Sequence, residues 1–294
     1  MGSTQRYRWK LRAAALVLAG VTAATACAAD PPEWTAAVAP FRIADNVYYV
    51  GTEGLSAYLI VSAQGAILLD ATLATNAAQI ERNIESVGVP LGDVRLLVSN
   101  HAHADHVGAL AALKHATGAR VVASEGDRWA LENGRNHGDN NYGIQPFDPI
   151  EVDETIGDGQ KLQLGDVELT AHLTPGHTRG CTSWSMTVDD RGTPRELLFL
   201  CSISVAGNTL VGNRSYPGIV EDFRATFSKL EAMHADIVLS SHPEVAAVLE
   251  RQARREDGDE NAFVDAGLLG RLVDKYKADF EETLSEAVSA ANNH

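Results

Sequence analysis

The sequence predicts an α/β protein of layered sheets covered by helices, and three observations predict it. Apolar or β-branched runs of strand length recur from Val47 to Ser240, segments with helical spacing separate many of them, and several runs meet across short Gly, Ser or Asp turns. The 294 residues are 45% hydrophobic and 21% charged, enough for one layered core and a single domain.

Taken in order, Val47–Thr52, Ala57–Val61 and Ala66–Asp70 read as strands joined by tight turns. Leu73–Val87 carries Ala77, Ile80, Ile84 and Val87 at helical spacing and stops at Gly88, so it reads as a helix. Val94–Val98 is a continuous apolar run of buried-strand length. Val107–Thr117 reads as a helix ended by Gly118, Arg120–Ala123 as a strand, and Gly126–Glu132 as a short helix. Residues 133–149 dissolve into Gly, Asn, Asp and Pro, a connection long enough to serve as a binding loop. Strands resume at Lys161–Leu164 and Val167–Leu173. Ser183–Val188 and Glu196–Cys201 form a hairpin about Asp189–Gly192, Val220–Met233 is helical, Ile237–Ser240 is a strand, and two helices follow.

The first 28 residues are of another kind. Arg6, Arg8, Lys10 and Arg12 precede an uncharged, Ala-rich stretch, and Ala26-Cys27-Ala28 offers the small-x-small pattern of a cleavage site. Residues 1–28 are read as a secretory signal and 29–294 as the folded domain, exported to the periplasm; lipid anchoring at Cys27 is the alternative. Removing 1–28 takes away four cations and no anions, moving the formal net charge from −15 to −19. So acidic a surface excludes nucleic acid and anionic membrane as partners, since both demand Lys and Arg. A small-molecule substrate and a monomeric chain are expected. Cys181 and Cys201 are too few for a disulfide framework. A direct bridge across a hairpin demands tight geometry, so both are expected as free thiols.

The chemistry is concentrated in His101-Ala-His103-Ala-Asp105-His106, directly after a buried strand. Strand periodicity would put His101 and His103 on one side, with Asp105 and His106 turned toward a neighbouring point. Imidazole and carboxylate are zinc ligands, and coordination positions left open to water mark a catalytic site. A single His in a turn is ordinarily a surface residue. Four ligand-type side chains in six residues at a strand's carboxyl end are not ordinary. His177, in Thr174-Pro-Gly-His-Thr178, and His242, in Ser240-Ser-His-Pro243, also follow strand-like runs, at the edge where α/β folds gather ligands. His115, His137, His172, His234 and His294 are not read as ligands, although His137 lies in the long loop, within reach of a substrate.

With these intervals the chain resembles the metallo-β-lactamase superfamily, and within it the third subclass (B3) of metallo-β-lactamases. Gly51–Ser56, Gly176-His177-Thr178, Thr182-x-Trp184 and Tyr216-Pro217 are further markers along nearly the whole chain after residue 28. The resemblance implies an αββα sandwich with two zinc ions in a cleft between its sheets. His101, His103 and His177 would hold the first, and Asp105, His106 and His242 the second. Ser202 and Ser204 would bind a substrate carboxylate, and the 133–149 loop would overhang the cleft. Asp105 would orient the hydroxide nucleophile that zinc supplies at neutral pH. Arg179 stands where the family often has proline. Hydroxyacylglutathione hydrolases and lactonases of the superfamily typically have a metal-bridging aspartate where this chain reads Leu198-Phe-Leu-Cys-Ser202. The expected activity is therefore zinc-dependent opening of the β-lactam amide, conferring antibiotic resistance. The alternatives are hydrolysis of lactones, thioesters or phosphoesters, and a non-catalytic zinc-binding protein.

Overall fold

Strands that are apolar on both faces require cover on both faces, and the computed structural model, which describes residues 30–138 and 140–293, shows how this chain supplies it. Residues 1–28, read above as a secretory signal, lie outside the described residues, and Cys27 with them. In chain order the elements are β1 (Phe41–Ala44), β2 (Val47–Tyr49), β3 (Tyr58–Ser62), β4 (Gly65–Leu69), α1 (Ala77–Ser86), β5 (Val94–Val98), α2 (Ala104–Val107), α3 (Leu110–Thr117), β6 (Arg120–Ser124), α4 (Glu125–Asn133) and β7 (Glu154–Ile156). The second half runs β8 (Lys161–Leu164), β9 (Val167–Leu173), β10 (Thr182–Asp190), β11 (Thr193–Leu200), α5 (Ile219–Glu231), β12 (Ile237–Ser240), α6 (Val248–Glu256) and α7 (Leu268–Asn292).

One sheet takes β1 to β7 in sequential order; the other runs β12-β11-β10-β9-β8. Pairing is antiparallel up to β4 and parallel from there to β7, while β12 joins the antiparallel β8–β11 meander in parallel to β11. Alternate residues serve different layers. Ile67, Leu69, Leu96 and Val98 face Leu169, Trp184, Phe199 and Leu239 between the sheets. Leu68 and Leu97 face Ile80, Ile84, Leu110 and Leu113 of α1 and α3. Leu198, Leu200 and Val238 face Phe223, Phe227 and Phe280 of α5 and α7. The result is the expected αββα sandwich in one domain.

Two differences from expectation have simple causes. The single helix read over Val107–Thr117 is two, because the chain turns at Gly108-Ala109, where Ala109 N–H bonds the Thr72 carbonyl. A Cβ on Gly108 would strike the backbone of Leu73 and Ala74, so only glycine lets the two segments meet. Strands β1 and β7 escaped the sequence reading: both are short sheet edges, and neither Phe41-Arg-Ile-Ala44 nor Glu154-Thr-Ile156 stands out as an apolar run.

The topology places the site. Strands β9, β11 and β12 run the same way in their sheet, as do β4 and β5 in theirs, and their carboxyl ends share one rim. That rim is stapled across the sandwich. Tyr58 Oη donates to the Ser240 carbonyl at 2.7 Å, Thr182 N–H to Asn100 O at 2.8 Å, and Asn100 Nδ2 to Ser241 Oγ at 2.9 Å.

Candidate metal centre

The ligand segment begins where β5 stops. Asp70, beyond β4, takes Asn100 N–H on Oδ1 at 2.7 Å and holds the turn that follows. Asp70 has φ of +61°, a conformation costly for a non-glycine residue and kept only where surroundings enforce it. His101 and His103 therefore sit on an irregular turn, with His103 N–H folded back on the His101 carbonyl at 3.1 Å, rather than on an extended strand. They converge all the same. Asp105 and His106 occupy the single turn of α2, anchored by Ala71 N–H on the His106 carbonyl at 2.8 Å. His177 follows Gly176, whose φ of +132° and contact with the Phe223 ring leave no room for a side chain. His242 lies two residues past β12.

All six predicted ligands meet in two groups of three. In the first, ligand atoms of His101, His103 and His177 lie within 4.8 Å of one another, and His103 Nδ1 is 3.1 Å from His177 Nε2. In the second, His106 Nε2 and His242 Nε2 are 3.2 Å apart and each is 3.3 Å from Asp105 Oδ2. Burial, reinforced by the neighbouring imidazoles, pushes His101 and His177 well below the usual histidine range. Burial brings His103 down to about 4 against the pull of Asp105. Three neutral imidazoles thus aim at one point. Burial alone would raise Asp105, but the charge of His106 and hydrogen bonds from His106 and His242 outweigh it and hold the carboxyl well below its usual range.

His101 Nε2 is buried with no hydrogen-bond partner among the described residues. An unmet buried polar atom costs about 1–3 kcal/mol. Two further lone-pair nitrogens stand beside it, so a cation is the species this donor set fits. Among the outer nitrogens, His106 Nδ1 lies 3.8 Å from Asp70 without a hydrogen bond. The other three have partners: His177 Nδ1 meets the Ser204 carbonyl at 2.9 Å, His103 Nε2 meets Tyr142 Oη at 3.2 Å, and His101 Nδ1 faces Cys201 Sγ at 3.7 Å. Such partners fix tautomer and ring orientation in metal sites.

Ser202 and Ser204 follow β11, with hydroxyls 3.0 Å apart; Ser202 shares a cleft with His242, and Ser204 reaches His177 through its carbonyl. The 133–149 loop stands over the first group through Tyr142 and lines a cleft with His103 and His177. His137 of that loop stacks on Trp129 at 4.4 Å. His172 bonds Ser185, and neither it, His115, His137 nor His234 joins a ligand group. Arg179 lies over the Tyr216 ring and donates to the Ser215 carbonyl, an arrangement that leaves the His177 turn intact.

Sequence reasoning missed Asp127. Its buried carboxylate takes Ala102 N–H at 2.9 Å, Thr178 Oγ–H at 3.0 Å and Gly180 N–H at 3.0 Å. It straps the turn between His101 and His103 to the turn after His177. A Cβ on Gly180 would overlap Ser124 and Asp127, so the close approach needs glycine. Burial raises Asp127 to about 6 despite these three donors. In sequence it is one acidic residue in a helix's first turn, where a dipole role is the ordinary reading.

The expectation of free thiols is wrong: Cys181 and Cys201 form a disulfide. The last ladder pair here is Thr182↔Leu173 on one side and Trp184↔Phe199 on the other. The cysteines therefore lie just past the paired strands, where the backbones are free of ladder geometry and the Cα atoms stand 6.0 Å apart, an ordinary bridging separation. Both sulfurs also lie within 4.8 Å of a His101 nitrogen, but bonded to each other they offer no thiolate. Titration of denatured, unreduced protein lacking residues 1–28 should find no free thiol, and two after reduction. Two without reductant would show the bridge absent.

Residues 50–242 match the metallo-β-lactamase superfamily. The chain belongs to that superfamily. Among solved structures it is similar to BJP-1, a subclass B3 metallo-β-lactamase of Bradyrhizobium japonicum (42% identity, TM-score 0.84, covering 88% of this chain and 98% of that one). It is also similar to a Cronobacter sakazakii metallo-β-lactamase with a HARLDQ motif (41%, 0.82, 86% and 97%) and to FEZ-1 from Legionella gormanii (35%, 0.82, 86% and 98%). A curated relative, hydroxyacylglutathione hydrolase of Bradyrhizobium sp., is 29% identical over 190 residues, 65% of this chain and 63% of the relative. The chain thus spans a little under two thirds of that relative's length.

Proposed function

We propose that this protein is a zinc-dependent β-lactamase of subclass B3, acting on penicillins, cephalosporins and carbapenems after export to the periplasm. The observation that carries the substrate is the end of β11. A thioesterase or lactonase of the superfamily typically places a bridging aspartate there, and this chain places Cys201, tied to Cys181, and then Ser202. The similarity to subclass B3 enzymes over nearly their whole length points the same way. A disulfide suits an oxidising compartment, in keeping with the signal-like start.

His101, His103 and His177 would hold one zinc, and Asp105, His106 and His242 the other. Zinc bound there would lower the pKa of water to about 7 and polarise a carbonyl. The chain's own groups supply the rest. Asp105 meets His106 and His242 through Oδ2, leaving Oδ1 to accept a hydrogen bond from the attacking water and fix its lone pair on the lactam carbon. A carboxylate held against a bound zinc would stay ionised for that task. Ser202 and Ser204 would donate to the substrate carboxylate, and the 133–149 loop would shield the ring from bulk water.

The test is purified, zinc-loaded protein assayed against a carbapenem, a penicillin, a glutathione thioester and a homoserine lactone, with zinc counted after dialysis. Two zinc ions per chain and preferential opening of the β-lactams are expected. Thioester cleavage without β-lactam cleavage would overturn the substrate, and a single retained zinc the dinuclear site.

A further inference from the structure

The long loop has a contact with the metal centre that the proposed reaction does not use. We propose that Tyr142 is a positioning residue of this centre: its hydroxyl accepts the Nε2–H of His103 and so fixes which nitrogen His103 offers to the metal. The inference rests on the metal-centre reading above. His103 presents Nδ1 to His177 Nε2 at 3.1 Å and Nε2 to Tyr142 Oη at 3.2 Å. A neutral imidazole carries one proton on one of these two atoms. With the proton on Nδ1, its N–H would point at His177 and the first group would lose a ligand. With the proton on Nε2, the Nδ1 lone pair faces inward and the proton needs an acceptor. The tyrosine oxygen is that acceptor.

The loop is built to keep the tyrosine there. Asn140 Oδ1 takes the N–H groups of both Tyr142 (3.1 Å) and Gly143 (2.7 Å). Asn136, buried beneath, donates to the Gly143 carbonyl at 2.9 Å and accepts Gln145 N–H at 2.7 Å. Asn141 N–H bonds the Gly207 carbonyl at 3.0 Å, and Asn208, next along, donates to the His177 carbonyl at 3.0 Å. The outer nitrogens of His101 and His177 face groups on the second sheet's rim, Cys201 and Ser204, whereas His103 depends on a loop. Loop order and first-site metal are therefore linked, and the linkage is reciprocal: metal orders the loop, and an ordered loop retains metal.

The experiment loads wild type, Tyr142→Phe and Ile144→Ala with zinc at pH 7 and competes the metal away with a chromophoric chelator. Ile144 is an exposed residue two positions further along the loop, so its variant truncates a neighbouring side chain while leaving the loop's hydrogen bonds and the phenol in place. Loss of an outer partner typically weakens metal binding about 10–100-fold. Tyr142→Phe should release one of its two zinc ions that much more readily and keep the other as wild type does, while Ile144→Ala matches wild type. Zinc retention within about twofold of wild type in Tyr142→Phe would overturn the proposal. So would equal losses in both variants, which would mean general loosening of the loop. Turnover is not read, so a chain that holds zinc but opens no β-lactam would defeat the proposed activity alone. A wild type that takes up no zinc would defeat both.

Discussion

Asp105→Asn is expected to lower β-lactam turnover by about two decades or more while the fold and the first metal persist. Asp105 is the one carboxylate among the six converging candidate ligands, and it meets His106 and His242 through a single oxygen. Asparagine keeps the size but removes the charge and the basicity. Loss of one positioned charged or general-base group costs about 10²–10⁴ in rate. His177→Ala should also abolish most activity, by a different route, because a neutral ligand is lost from the first group and added zinc should restore part of it. Turnover and zinc content measured together on both variants separate the two. If Asp105→Asn opens a carbapenem at near wild-type rate with zinc intact, the role assigned to Asp105 is wrong.

Asp127→Asn is expected to loosen the first metal by about one to two decades without removing any ligand. An amide can keep one oxygen on Ala102 and Thr178, but its NH₂ must then face Gly180 N–H. One unsatisfied buried donor costs about 1–3 kcal/mol, and about 1.4 kcal/mol is tenfold in an equilibrium. The pH dependence has two signs. Asp127 titrates at about 6 in the fold, above the 3.8 of an unperturbed carboxyl, so it favours the folded state most below pH 4, and that contribution fades as pH rises through 6. The metal-site strap behaves in the opposite sense, since three donors match an ionised carboxylate and protonation puts a hydrogen against one of them. Relative to Asp127→Asn, wild type should therefore gain fold stability and lose its metal advantage between pH 6 and 4. Urea midpoints and chelator competition across that interval read both. Indistinguishable metal retention at pH 7 would remove Asp127 from the centre.

The candidate ligands were legible because they are polar residues placed where apolar runs end. Val98, Leu173 and Ser240 close strands that any two-layer core must bury, and His101, His177 and His242 follow within four residues. Lys161–Leu164 and Val167–Leu173 were legible to the residue because they alternate apolar and polar positions on either side of a Gly165-Asp166 turn. The supports were not legible. Asp70, Asp127 and Tyr142 act across 30, 53 and 39 residues of sequence, and nothing local separates them from a strand-end polar residue, a helix-start acid and a loop aromatic. The disulfide was not legible because Cys181 and Cys201 flank a hairpin in sequence, while in the fold the β10–β11 ladder ends before it reaches them. His101 and His103 converge through a folded-back turn, so their pairing does not come from strand periodicity.

Each half of the site draws on both halves of the chain. His103 meets His177 across 74 residues, and His106 meets His242 across 136. A metal in either group would thus act as a removable cross-link between segments that an unfolded chain holds far apart, and closing long loops is where a clip gains most. By mass action, a ligand at 1,000 times its Kd adds about 4.1 kcal/mol to a fold, a large share of the roughly 5–15 kcal/mol that holds a typical domain together. Metal supply would then set how long the protein survives as well as how fast it works. Withdrawal of that metal would then disarm the protein partly by proteolysis, through chains that open and are cut before they can close again.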